Sequence, residues 1–122
     1  MNFKEVFETE LKENNITWCK GECGEKGHKR GFVLFEDRTT VHLDRGIATR
    51  STLHRALHEL GHCLDEEFGK NRSFKREQIA EDFANKKMKE LGIRIPRKVR
   101  ASGVAYVKRK KRHGDNIKKS KN

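Results

Sequence analysis

The run Leu57-His58-Glu59-Leu60-Gly61-His62 sets two imidazoles four residues apart, with a carboxylate beside the first. On an α-helix, residues at that spacing share a face, so both rings can reach one metal ion. Glu59 then lies close enough to take a proton from an attacking water. Imidazole nitrogen and carboxylate oxygen are both common zinc donors. The chemistry this spacing offers is that of a zinc-dependent hydrolase.

A helix must present these groups. Leu53, Leu57, Leu60, Leu64 and Phe68 recur at spacings of four, three, four and four, which makes one apolar stripe. At about 100° per residue, His58 and His62 fall roughly 120–160° from the stripe's centre, so they are expected to line a cleft facing away from the core. Ser51 or Thr52 can cap this helix, which is expected to end near Gly69. Ser73 can cap a second helix over residues 74–91 that Gly92 closes. Its apolar face is Ala80, Phe83, Ala84, Met88 and Leu91, with Glu77 and Glu81 at the margin.

A catalytic zinc takes three protein ligands and one open position. The third-ligand candidates on the neighbouring helix are Glu77 and Glu81, with Asp82 less well placed. Glu77 is preferred, which leaves Glu81 to accept a hydrogen bond from a ligand histidine and fix its tautomer.

Upstream, Phe3, Val6, Phe7 and Leu11 follow helical spacing behind a capping Asn2, and Asn14-Asn15 supplies a stop. Residues 16–19 read as a short strand, and residues 31–35 and 39–44 as a β-hairpin. His42 alternates with Val41 and Leu43 and can line a substrate cleft, although a solvated strand histidine is the simpler reading. Cys19, Cys23 and His28 resemble part of a zinc knuckle but offer only three ligands, so a glycine-rich hairpin loop is preferred there.

At 122 residues the chain suits one domain, and with 33% hydrophobic and 39% charged residues the core must be small. No apolar run approaches a membrane span, and no signal-peptide pattern opens the sequence. Three cysteines suggest no disulfide framework, and a cytoplasmic location is expected. The charge is segregated: residues 1–93 balance to zero, while residues 94–122 carry the entire net +11 with Asp115 as their single acid. Residues 1–93 are therefore read as the folded domain and residues 94–122 as a basic, flexible tail that Pro96 separates from the preceding helix.

The chain resembles the zincins of the ImmA/IrrE type over roughly residues 31–92. The likeness rests on Thr40-Val41-His42-Leu43-Asp44, on Leu57-His58-Glu59-Leu60-Gly61-His62, and on Glu77-Gln78-Ile79-Ala80-Glu81-Asp82-Phe83-Ala84. It implies a small α+β zincin-like domain with a short antiparallel sheet, an HExxH active-site helix and a following ligand helix. It also implies a zinc metalloendopeptidase of gluzincin type that acts on phage-type or stress repressors. The first glutamate of the second-helix pattern, here Glu77, supplies the third ligand; Glu81 stands where Asn or Asp is usual. A weaker similarity within the same fold is to lethal-factor-like toxin peptidases.

Together these readings give one zinc ion held by His58, His62 and Glu77, with Glu59 as general base and a protein or peptide as substrate. An extended substrate could add along residues 39–44 if that strand is a sheet edge. The alternative is a nucleic-acid-binding protein acting through residues 97–121, with a regulatory or inactive zincin domain. No membrane partner is expected.

Overall fold

The amphipathic start of the chain forms α1 over Phe3–Glu13. Asn2 caps it, its side chain accepting the Glu5 N–H at 3.1 Å. Asn15 ends the turn at φ 55°, a left-handed conformation that asparagine tolerates better than most residues. The computed structural model describes residues 2–20, 31–32, 39–43, 46–66 and 73–120, with backbone alone at 20, 31–32, 42, 73 and 113–120.

Three strands follow: β1 (Thr17–Lys20), β2 (Gly31–Phe32) and β3 (Thr40–Leu43). They form one sheet in the order β1-β3-β2. β2 pairs antiparallel with β3, Phe32 opposite His42, whereas β1 runs parallel to β3, Trp18 opposite Val41. The α+β class stands, but the expected antiparallel sheet must be corrected to a mixed one. Parallel neighbours need a long connection, and residues 21–39 supply it. β3 carries Val41 and Leu43, both buried, and the central position covers that strand from both sides. This also removes the expected substrate edge, because β1 is paired along all of Thr40–Leu43.

α2 (Arg50–Leu64) begins at a capping box. Thr49 accepts from the Thr52 N–H at 3.1 Å, and the Thr52 hydroxyl accepts from the Thr49 N–H at 2.9 Å. The cap is thus Thr49, two or three residues ahead of the expected Ser51 or Thr52. The helix also stops early: it ends at Leu64, before the expected Gly69, with Asp65 extended. α3 (Ser73–Glu90) ends in a reciprocal pair of bonds, Gly92 N–H to Lys89 O and Ile93 N–H to Met88 O. This closure needs the left-handed φ of 70° at Gly92.

Residues 97–120, where the sequence suggests a flexible tail, form helix α4 (Arg97–Ser120). It packs on α3, and Gly103 is buried against Glu81 there.

The core lies between the sheet, α1, α2 and α3. Phe7, Val41, Leu53, Leu57, Leu60 and Met88 are its largest fully buried side chains. Each such burial stabilises the fold by about 1.5–3 kcal/mol. Leu64 is partly buried at the end of the α2 stripe, and Phe68 lies outside the described residues. Phe7 meets Trp18 edge-on at 6.3 Å, seating α1 on the sheet. Lys87 Nζ lies 3.2 Å from Glu10 Oε2 and ties α3 to α1.

Candidate metal centre

α2 and α3 come close together at Gly61, within the histidine motif itself. A Cβ there would stand 3.1 Å from Ala80 Cα and 3.2 Å from Phe83 Cβ. Glycine between the ligand-type residues therefore lets α3 come down onto the histidine face. Ala80 meets Gly61 from α3, and both Ala80 and Ala84 are fully buried.

The consequence is a polar seam between two helices. His54, His58 and His62 occupy successive turns of α2, while Glu77, Glu81 and Asn85 occupy successive turns of α3. His62 Nε2 lies 3.3 Å from Glu77 Oε2. His58 Nε2 lies 2.7 Å from that same oxygen, and His58 Nδ1 donates to Glu81 Oε1 at 2.7 Å. His54 Nε2 donates to Asn85 Oδ1 at 2.9 Å and stands 3.9 Å from Glu81 Oε2. The His58 and His62 rings meet edge-on at 4.9 Å. All three histidines are buried, whereas His58 and His62 were expected to line a cleft: α3 covers the side of α2 opposite its leucines.

These contacts set the electrostatics. Burial lowers the affinity of His58 for a proton, but hydrogen bonds to Glu77 and Glu81, with the charges of Glu59 and Glu77, lift its pKa to about 10. Burial raises Glu77, yet its bonds to His58 and His62 hold its pKa down at about 2. Glu59 is raised by burial, an effect that the neighbouring His58 and His62 moderate and Glu77 reinforces. A carboxylate shifted upwards is better matched to proton transfer near neutral pH than an ordinary one.

His58, His62 and Glu77 each offer a ligand atom within 4.8 Å of the others, and the group could hold a metal ion. It is the only such group among the described residues. The residue types fit the borderline ions that imidazole and carboxylate serve, and Glu81 on His58 Nδ1 is the kind of outer contact that orients a metal-binding imidazole. Of the expected third ligands, Glu77 is the one brought to both histidines. Glu81 reaches the far nitrogen of His58 instead, and Asp82 is turned outwards, accepting from Gln78 at 2.9 Å.

His54 and Asn85 were not anticipated from sequence, although a four-residue repeat on both helices marks them. The side chain of His42 is outside what is described, as are Cys23 and His28. Cys19 is disulfide-bonded, so it is not a thiolate offered to a metal. Cys63 is buried and takes part in no disulfide. No helix among the described residues is long and apolar enough to cross a membrane.

In comparison with known proteins, the chain matches no family model, no curated protein and no solved structure.

Proposed function

We propose that this protein is a zinc-dependent metallopeptidase whose ion is held by His58, His62 and Glu77. The observation that supports this most strongly is the meeting of both motif histidines with Glu77 across the α2–α3 seam. The resemblance of the histidine and glutamate motifs to ImmA/IrrE-type zincins supplies the substrate class, a protein such as a DNA-bound repressor or another regulator.

When bound, zinc supplies a Lewis acid that polarises a scissile carbonyl and acidifies an attacking water. The chain's own residues do the rest. Glu59 accepts the proton of the attacking water and delivers it to the leaving amine. Glu81 holds the proton of His58 on Nδ1, which leaves Nε2 as the donor atom. Glu77 brings the negative charge that balances the cation.

Elemental analysis of purified protein tests this reading. About one zinc per chain is expected in the wild type, with loss in both His58→Ala and Glu77→Ala. A wild type without zinc refutes the proposal, and a Glu77→Ala variant that keeps its zinc moves the third ligand to Glu81.

A second reading, polyanion binding, is favoured by the outward face of α4. Arg97, Arg100, Lys108 and Arg112 line a shallow groove there around Ala101 and Val104. Small apolar side chains between cations let a helix approach a phosphate backbone closely, whereas a membrane-lying helix would need larger ones. Tyr106 is covered by Arg109 at 5.8 Å and Lys110 at 5.4 Å, so base stacking has no open platform. Nucleic acid contact through this helix is compatible with peptidase activity.

A further inference from the structure

We propose that α4 is a working part of the metal centre, with Gly103 as the positioning residue that keeps the Glu81 carboxylate against His58. For its consequence this rests on the zinc reading above; for its geometry it rests on contacts alone. Gly103 is buried at the α3–α4 packing surface, and a Cβ at that position would fall within the Glu81 carboxylate. The Glu81 side chain is only 12% exposed. One of its oxygens is 2.7 Å from His58 Nδ1, and the other faces His54 Nε2 at 3.9 Å and the α4 backbone at Gly103. The carboxylate is boxed by three groups from two helices other than its own.

Glycine inside a helix weakens it relative to alanine, so its presence calls for a reason. A left-handed backbone is not that reason, because Gly103 lies within regular helix. Space is. Any side chain there would push the carboxylate along its own rotamers and away from His58. The imidazole would lose the partner that fixes its orientation, and Nε2 would no longer be aimed at Glu77 and His62. Outer contacts of this kind are worth tenfold to a hundredfold in metal affinity.

The test uses the full chain and zinc alone, with affinity read by competition against a chromophoric chelator. Gly103→Ala is expected to weaken zinc binding by about 10–100-fold, while Ser102→Ala, at an exposed neighbour, leaves it unchanged. Combined with Glu81→Gln, Gly103→Ala should add no further loss, since both act through one carboxylate. Wild-type affinity in Gly103→Ala, or fully additive losses, overturns the proposal. If Gly103→Ala does not fold, adding Glu81→Ala clears the carboxylate away; restored folding supports the contact and continued misfolding overturns it. If the wild type binds no zinc, the metallopeptidase reading fails but the contact is still decided. A slowly exchanging His58 Nδ1–H resonance in the wild type should then vanish in Gly103→Ala, and its persistence refutes the role given to Gly103.

Discussion

His58 and Glu81 meet at 2.7 Å through Nδ1 and Oε1, while the opposite nitrogen of the same ring lies 2.7 Å from Glu77. One imidazole is therefore gripped at both ends by carboxylates one helical turn apart. Ring orientation in this seam is set by two bonds and by the packing of α3 over α2.

Replacing Glu59 with glutamine removes the proton acceptor and keeps the shape. Peptide hydrolysis should fall by about 10²–10⁴-fold while zinc content stays at the wild-type level. Activity near wild type in a zinc-loaded Glu59→Gln protein would sink the assigned role.

Gly61→Ala puts a methyl group against the Ala80 backbone and the Phe83 ring. Helix propensity favours alanine by roughly 1 kcal/mol, but overpacking a close helix contact costs about 1–3 kcal/mol. We expect net destabilisation in urea unfolding, with a further loss for Gly61→Val. Zinc affinity should fall in parallel, because α3 carries Glu77. A stabilised Gly61→Ala with full zinc affinity would show that α3 yields without moving the seam.

The pH dependence of the chelator-treated protein follows from the two displaced groups. His58 sits above its ordinary value, so its contribution is complete below about pH 6.5 and is lost as pH rises through about 10. Glu77 sits below the ordinary range, so its contribution is complete above about pH 4.5 and is lost as pH falls towards about 2. Both describe one interaction, counted once. The stability gap between wild type and Glu77→Gln should be widest between about pH 4.5 and 6.5 and on the order of a few kcal/mol. A gap that stays constant up to pH 10 would contradict the pairing.

The cationic face of α4 should bind duplex nucleic acid in a steeply salt-dependent way. If about four phosphates are neutralised, affinity falls on the order of a hundredfold between 50 and 200 mM salt. Arg97→Ala with Arg100→Ala should flatten that slope, measurable by fluorescence anisotropy. Binding that ignores salt, or none at low salt, would remove the second reading.

The histidine spacing, the leucine stripe and the helix carrying Glu77 were legible because helical periodicity is local. What covers a helix's opposite face is not local. The stripe through Leu53, Leu57 and Leu60 says where the core is, yet nothing in it tells that α3 will bury the histidines. Gly61 and the small pair Ala80 and Ala84 are the faint signal of that approach. Strand β1 shows the same limit: its parallel partner lies beyond residues 21–39, so adjacency in sequence pointed to the wrong kind of pairing. In α4, abundant Lys and Arg mask a sparse inner row of Val99, Gly103 and Val107, which composition alone reads as a tail.

Because α4 touches Glu81 on one side and carries its cations on the other, a change of its length upstream of Gly103 would displace both at once. A single residue inserted between Pro96 and Gly103 would turn every later position by about 100°. A side chain would swing towards the carboxylate and the basic groove would point elsewhere. Substitutions along the outer face should be well tolerated by the fold, whereas insertions and deletions in that short stretch should not. Among natural variants of this chain, the count of residues from Gly92 to Gly103 is expected to hold constant even where their identities drift.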